Sequence, residues 1–195
     1  NFMVFSDATQ FFWQGISPYT TEFVEAHGRY FLYSPVFTVL FAPFAYLPAW
    51  LGPFAWNLFN YSLFFMAIFT LPQQFTQQQK CRMFLFLLLI LGQSLLSFQY
   101  NITVAYLFLF AYTLLEKDRG FLAVLLIMIS GCTKVYGIFE LALLLCYPHV
   151  WRNFGYAVTM GIVLLALPLI KIAPADLLPY YEEWCHSCLL YTSDA

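Results

Sequence analysis

Charged side chains are scarce in this sequence. Only 9% of the 195 residues are Asp, Glu, Lys or Arg, whereas 62% are hydrophobic. A soluble domain normally has about 25% charged residues, and a water-soluble fold has too little interior to bury this much Phe, Leu and Tyr. The net charge of −2 also excludes the basic surface of a nucleic-acid-binding protein. The composition therefore predicts an all-α, polytopic transmembrane helix bundle.

Metal-binding and redox motifs are equally few. Cys185 and Cys188 have C-x-x-C spacing, but no second pair of ligands accompanies them, so neither a zinc site nor a redox site is indicated. Cys132 and Cys146 lie in apolar runs and are interpreted as small core residues. Residues 1–30 contain no D-x-D pair. We predict no metal ligands and no required cofactor, and a bound divalent cation stays an alternative.

The two ends of the sequence look incomplete. The first residue is Asn1 rather than Met, and the last eight residues, CLLYTSDA, resemble a translated sequencing adapter. We therefore expect a fragment truncated at both ends. Residues 188–195 are expected to be a non-native tail and are left out of the fold argument, which leaves one partial membrane domain over residues 1–187.

Apolar runs separated by short polar segments predict a transmembrane bundle over residues 53–172. Several runs are shorter than the ~20 residues that cross a ~30 Å hydrocarbon layer. Breaks fall at residues 99–101 and at Lys134, and irregular backbone at membrane depth is tolerated only beside protein or a water-filled cavity. Residues 31–48 contain three prolines, which favour a re-entrant or interface helix over a full crossing. We predict that residues 1–30 form an outer loop of short helices.

The basic residues predict the orientation of the bundle. They concentrate in three alternate loops, and the positive-inside rule places such loops in the cytoplasm. The breaks at residues 99–101 and at Lys134 then face the periplasm or the outside of a multi-pass protein in the cytoplasmic (inner) membrane. The first loop faces the same side if residues 31–48 do not cross. The basic loop residues are Lys80, Arg82, Lys117, Arg119, His149 and Arg152.

Lys134 is the main candidate for ligand binding. It lies between the apolar runs FLAVLLIMI and LALLLCY, and a cation at membrane depth is costly unless it is paired or solvated. The phosphate of a lipid would supply a charge-assisted partner, and Gln99, Asn101 and Tyr136 would help to bind the phosphate or an attached sugar. A structural pair with Glu140 is the alternative, although six residues along one helix would separate the two side chains.

The first loop supplies the candidates for proton transfer. Asp7 and Glu25 are carboxylates that could act as the general base on an acceptor hydroxyl. His27 and Arg29 lie in the same loop and are candidates for contact with the acceptor.

An ordered series of segments carries a resemblance to a known family. The segments are NFMVFSDA, GISPY, YFLYSPVFTVLFAPFAYLP, WNLFN, SFQYN and TKVYG. Over residues 1–187 the chain resembles glycosyltransferase family 87, of the GT-C superfamily, in the form found in Bacteroidetes-type bacteria. The resemblance implies an inverting, mannosyltransferase-like enzyme that uses a polyprenyl-phosphate sugar donor outside the cytoplasmic membrane. It also implies a GT-C-like bundle with a large first outer loop whose helices lie along the membrane.

The resemblance has one gap, at the family's presumed catalytic acid. The family opens with an aspartate, and Asn1 occupies that position here. An amide cannot take up a proton, so the alternatives are Asp7, Glu25, a residue outside this sequence, or an altered activity. Other family elements are intact, namely Gly15, Pro18 and Tyr19; Tyr33, Ser34 and Pro35; and Gln99, Asn101 and Lys134.

The sequence thus predicts a membrane hexosyltransferase, with mannose as the first candidate sugar. Its partners would be membrane lipid, a lipid-linked sugar donor and a glycan or glycolipid acceptor. A secondary transporter is the main rival, because broken helices with a charged residue at the break are also found in transporters. A non-enzymatic polytopic membrane protein is the other. A carboxylate close to Lys134 in one outward cavity would favour the transferase.

Overall fold

The computed structural model describes residues 1–193, and helices account for most of that range. This confirms the all-α prediction for the described part of the chain. The α-helices are α1 Phe2–Gln14, α2 Thr21–His27, α3 Pro35–Ala45, α4 Leu51–Phe69, α5 Gln77–Leu96, α6 Asn101–Leu115, α7 Gly120–Thr133, α8 Val150–Leu165 and α9 Pro174–Ser193, and two 3₁₀ helices cover Val135–Cys146 and Leu167–Ile170.

Local sequence signals set several helix ends. At the start of α5, the Thr76 hydroxyl accepts a hydrogen bond from the Gln79 backbone N–H, and the Gln79 side chain accepts one from the Thr76 N–H at 2.8 Å. This reciprocal capping box satisfies two N–H groups that the helix leaves without partners. α1 ends at Gly15 (φ 82°) and α2 ends at Gly28 (φ 63°), in the left-handed conformation that glycine adopts without steric cost.

The bundle is formed by consecutive elements that short connections join. In chain order they are α4, α5, α6, α7, the 3₁₀ helix 135–146 and α8, and α7 packs against α6, the 3₁₀ helix and α8. Val124 and Ile127 of α7 and Leu144 of the 3₁₀ helix are fully buried in this packing. α7 is therefore the central helix of the bundle.

One end of the bundle gathers the polar loops. The Gln74 side chain donates a hydrogen bond to the Tyr112 hydroxyl, and the Tyr147 hydroxyl donates one to Glu116. We call residues 72–82, 116–120 and 147–153 the basic end. The three loops that the sequence predicted to be cytoplasmic therefore lie at the same end of the fold.

The opposite end is covered by α1, α2, α3 and part of α9. The Ser34 N–H, just before α3, donates to the Thr133 carbonyl at the end of α7. The Ala45 carbonyl, at the other end of α3, accepts a hydrogen bond from the Ser6 hydroxyl of α1 at 3.3 Å. Both ends of α3 thus lie at this end of the bundle, and eleven residues of helix span only about 16 Å. The geometry agrees with a helix that does not cross, and the membrane placement of residues 31–48 stays a prediction.

Two apolar segments have features that the sequence did not predict. The run after Lys134 forms a 12-residue 3₁₀ helix, much longer than the usual three or four residues. The last apolar run of the predicted bundle 53–172 is interrupted between Leu165 and Leu167, close to Pro168. Residues 188–193 continue α9, which does not test whether the tail 188–195 is native, and residues 194–195 lie outside the described range.

Much of the outer surface is apolar. Gln77–Leu96 and Val150–Ile170 are long and apolar enough to cross a membrane, and only 11% and 28% of their most apolar windows are buried. The core helix of a soluble protein would be mostly buried, whereas Leu89 and Leu96 of α5 are more than 80% exposed. Such a surface weakly suggests apolar surroundings such as lipid. Membrane crossing by these two helices, and by the shorter apolar helices, stays a prediction.

Candidate active site

Lys134 lies at the break between two helices. α7 ends at Thr133, Lys134 is extended (φ −140°, ψ 122°), and the 3₁₀ helix begins at Val135. The Lys134 Nζ donates hydrogen bonds to Asn101 Oδ1 at 2.8 Å and to the Tyr33 hydroxyl at 3.4 Å. It also lies 4.6 Å from the ring centre of Tyr136 and 5.0 Å from that of Tyr33, within the range of cation–π attraction. Its direct partners are therefore all neutral.

A second break brings the amide side chains to the lysine. The chain turns after α5 through Phe98, which has a positive φ of 49°, and α6 starts at Asn101. Asn101 Oδ1 also accepts a hydrogen bond from the Tyr136 hydroxyl, and Asn101 Nδ2 donates to Gln99 Oε1 at 3.1 Å. The structure thus brings together the four residues that the sequence proposed for donor binding: Gln99, Asn101, Lys134 and Tyr136.

These breaks open into a cavity of about 590 Å³, a size typical of small-molecule sites. We call it the Lys134 cavity. Arg29, at the end of the first loop, also lines it, and none of the lining residues is acidic. Two cations without a carboxylate favour an anionic ligand. The lining residues are Asn1, Val4, Phe5, Gly28, Arg29, Tyr30, Phe31, Leu32, Tyr33, Gln99, Asn101, Lys134 and Tyr191.

Partial burial makes the charge of Lys134 costly. A cation that is taken out of water needs an opposite charge or hydrogen-bond partners, and no carboxylate lines the cavity. An anionic ligand would supply the missing opposite charge.

Asn1, which the resemblance aligns with the family's presumed acid, lines the cavity. Its Nδ2 donates to the Ser97 carbonyl at 2.7 Å, and its Oδ1 accepts a hydrogen bond from the Arg29 guanidinium at 3.2 Å. The amide therefore joins α1 to the break after α5 and orients Arg29. It cannot serve as a base there.

Neither candidate base lines the cavity, which differs from our expectation. Asp7 Oδ2 lies 2.9 Å from His27 Nε2, and His27 Nδ1 lies 2.9 Å from the Phe23 carbonyl oxygen. Glu25 is exposed on α2. His27 precedes Gly28 in the chain, and Asp7 follows Val4 by three residues, so each member of the pair is close in sequence to a residue that lines the cavity.

Sequence reasoning gave no role to several residues that shape the site. The Ser34 hydroxyl donates to the Cys132 carbonyl, and the Tyr100 and Thr133 hydroxyls are hydrogen-bonded at 2.9 Å. These contacts hold α3 and α6 against the end of α7. The Tyr33-Ser34-Pro35 element was a usable signal, because it belongs to the family resemblance.

Glu140 does not pair with Lys134. Its Oε1 accepts a hydrogen bond from the Ser130 hydroxyl at 2.8 Å, and its Oε2 is buried without a hydrogen-bond partner. The alternative of a structural Lys134–Glu140 pair is therefore wrong for this structure. Within residues 1–193, no group of three His, Cys, Asp or Glu side chains is placed to hold a metal ion.

The fold and the cavity define a helical protein with an apolar surface that can bind an anionic ligand at one end of its bundle. The model of glycosyltransferase family 87 matches residues 31–194, which is most of the chain. The chain therefore belongs to glycosyltransferase family 87, a GT-C-type family, and is a transferase. No curated protein and no solved structure matches it.

The family match covers the residues around Lys134 but not those of the first loop. It includes Tyr33, Gln99, Asn101 and Lys134 but begins after the first loop. The predicted glycosyltransferase activity is confirmed, and the transporter and scaffold alternatives are not favoured. The roles of residues 1–30 rest on geometry and on the resemblance alone.

Proposed function

We propose that this enzyme transfers a hexose from a polyprenyl-phosphate donor to a glycan or lipid acceptor at the Lys134 cavity. The observation that carries the proposal is the environment of Lys134. Its ammonium group has only neutral partners, in a cavity with a second cation and no acid. A phosphate is the ligand that completes such a site, and the apolar outer surface suits a lipid-linked one.

Different residues of the cavity would contact different parts of the donor. Lys134 and Arg29 would hold the phosphate, because both are cations that line the cavity. Asn101, Gln99 and Tyr136 form one hydrogen-bonded group beside Lys134 and would orient the phosphate or the sugar. As the bond to the sugar breaks, negative charge grows on the phosphate oxygen, and preorganised cations stabilise that charge.

The reaction needs one proton acceptor. The acceptor oxygen attacks the anomeric carbon, and the phosphate leaves with the electron pair of the broken carbon–oxygen bond. We assign the hydroxyl proton to Asp7, because its carboxylate is held by His27 and lies three residues after Val4, which lines the cavity. The exposed Glu25 is the second candidate. The acceptor would then enter between α1 and α2, on the side of Arg29.

The proposed location is the cytoplasmic membrane. The two long apolar helices would cross it, the basic end would face the cytoplasm, and the Lys134 cavity would open to the periplasm or the outside. Mannose is the first candidate sugar, by resemblance to mannosyltransferases. No cofactor is assigned.

Donor binding by Lys134 variants tests this proposal. Loss of a charge-assisted contact to the phosphate should cost at least ~1.5–3 kcal/mol, which is about tenfold or more in donor affinity. Lys134→Met removes the charge and keeps most of the volume. Lys134→Arg keeps the charge in a different shape and should be intermediate.

The assay is transfer of labelled sugar from a polyprenyl-phosphate donor by the membrane-reconstituted protein. Lys117→Met is the matched control, because Lys117 is exposed at the basic end. Wild-type donor affinity and turnover in Lys134→Met would refute the donor-site assignment.

A further inference from the structure

A second pocket lies at the basic end of the bundle, opposite the Lys134 cavity. It has a volume of about 290 Å³ and lies between the start of α7 and the start of α8. Arg119 and Arg152 line it from different loops. Tertiary packing, not sequence proximity, brings the two arginines together. We call it the basic-end pocket.

Both arginines are available to a ligand. Arg119 is exposed and has no ion pair in the described part of the chain. Arg152 lies 3.7 Å from Asp118 Oδ1, but the two side chains are 45% and 78% exposed. An ion pair of that length and exposure is weak. Two guanidinium groups therefore face one carboxylate, which leaves an excess positive charge.

One side of the pocket is aromatic. Phe121 and Tyr156 line it; Phe121 is 50% exposed and contacts the Tyr156 ring edge-on, with ring centres 5.5 Å apart. Tyr156 lies in the first two turns of Val150–Ile170, one of the two segments long and apolar enough to cross a membrane, and Trp151 in the first turn is 88% exposed. Aromatic residues at the end of such a helix are typical of the level of the lipid headgroups.

We propose that the basic-end pocket binds the phosphate of an anionic phospholipid. Arg119 and Arg152 donate hydrogen bonds to the phosphate oxygens, because the guanidinium fork matches phosphate geometry. Phe121 and Tyr156, which line the pocket, lie against the glycerol and the upper part of the acyl chains. This inference depends on the membrane location proposed above and not on the transfer reaction.

Lipid titration of the detergent-purified protein tests the site without donor or acceptor. Native mass spectrometry measures the binding of phosphatidylglycerol, with phosphatidylcholine as the zwitterionic comparison. The double variant Arg119→Gln/Arg152→Gln should lose about fivefold in phosphatidylglycerol affinity for each arginine. The matched control Arg82→Gln/Lys117→Gln removes the same charge from exposed residues outside the pocket and should bind like wild type. Equal losses in both would overturn the proposal, because they would indicate general electrostatic attraction.

Two further measurements distinguish a lipid site from misfolding and from a free-anion site. Asp118→Asn removes the competing carboxylate and should tighten phosphatidylglycerol binding, which misfolding could not produce; unchanged or weaker binding would count against the site. Inorganic phosphate is the second probe. If phosphate binds as tightly as the lipid, and with the same dependence on the arginines, the pocket holds a free anion and the lipid assignment is wrong.

Discussion

Two buried or half-buried lysines at opposite ends of the bundle differ in what surrounds them. Lys80, at the basic end, is 6% exposed, and its ammonium group donates to the Leu71 carbonyl and, at 3.3 Å, to the Phe69 carbonyl. Phe69 is the last residue of α4 and Leu71 lies just beyond its cap, where carbonyl groups lack partners within the helix. Lys80 therefore completes the fold.

Lys134 has a different kind of partner. It contacts an amide oxygen, a phenol and two aromatic rings, and it opens into a cavity that no carboxylate lines. The comparison teaches that the position of a lysine in an apolar sequence does not reveal its role. What decides is whether the fold buries the ammonium group among its own carbonyl oxygens or leaves it open to a ligand.

The largest expected effect concerns the acids at the two ends. Asp7→Asn should lower the transfer rate by about 10²- to 10⁴-fold, the usual contribution of a general base, because the amide cannot accept the proton. Asp118→Asn at the basic end should leave the rate unchanged, and Glu25→Gln should have little effect. The rate is measured with saturating donor, beside the thermal unfolding of each variant. A wild-type rate in Asp7→Asn would assign the Asp7–His27 pair to structure alone.

The lysines themselves sharpen the comparison. Lys80→Met should lower the free energy of unfolding by about 1–3 kcal/mol, since it leaves carbonyls at the end of α4 without their donor. Its donor affinity should equal that of wild type. Lys134→Met should show the reverse, with weak donor binding and normal stability. The free energy of unfolding and the donor affinity are measured for both variants. Equal destabilisation by the two variants would contradict the assignment of Lys80 to the fold and of Lys134 to the donor.

A smaller effect on stability and donor binding is expected from a substitution in the backbone that positions Lys134. A Cβ on Gly137 would lie 2.5 Å from the Ser130 carbonyl carbon, so Gly137→Ala should cost about 1–3 kcal/mol of stability through overpacking. The shift should also weaken donor binding, because it displaces the break at Lys134. Gly155→Ala in α8 is the control, since its Cβ would meet no atom within 4 Å. Unchanged stability in Gly137→Ala would show that the contact relaxes without cost.

Family membership and the Lys134 cavity were within reach of sequence reasoning. The order of motifs identified glycosyltransferase family 87, and the match over residues 31–194 confirms it. The four residues proposed for donor binding do meet at one place, because each lies at or next to a break that polar residues mark in an apolar run. The resemblance was drawn over residues 1–187, however, and the match does not reach the first loop.

Sequence by itself determined the helical class, the apolar surface and the breaks near Gln99 and Lys134, since composition and local patterns control these features. Only the tertiary structure decided the partners of the polar groups. It placed Arg29 and Tyr33 with Lys134, and Asp7 with His27 rather than inside the cavity. A buried polar group takes whichever partner the packing of distant helices brings within about 3 Å, and no local pattern encodes that choice.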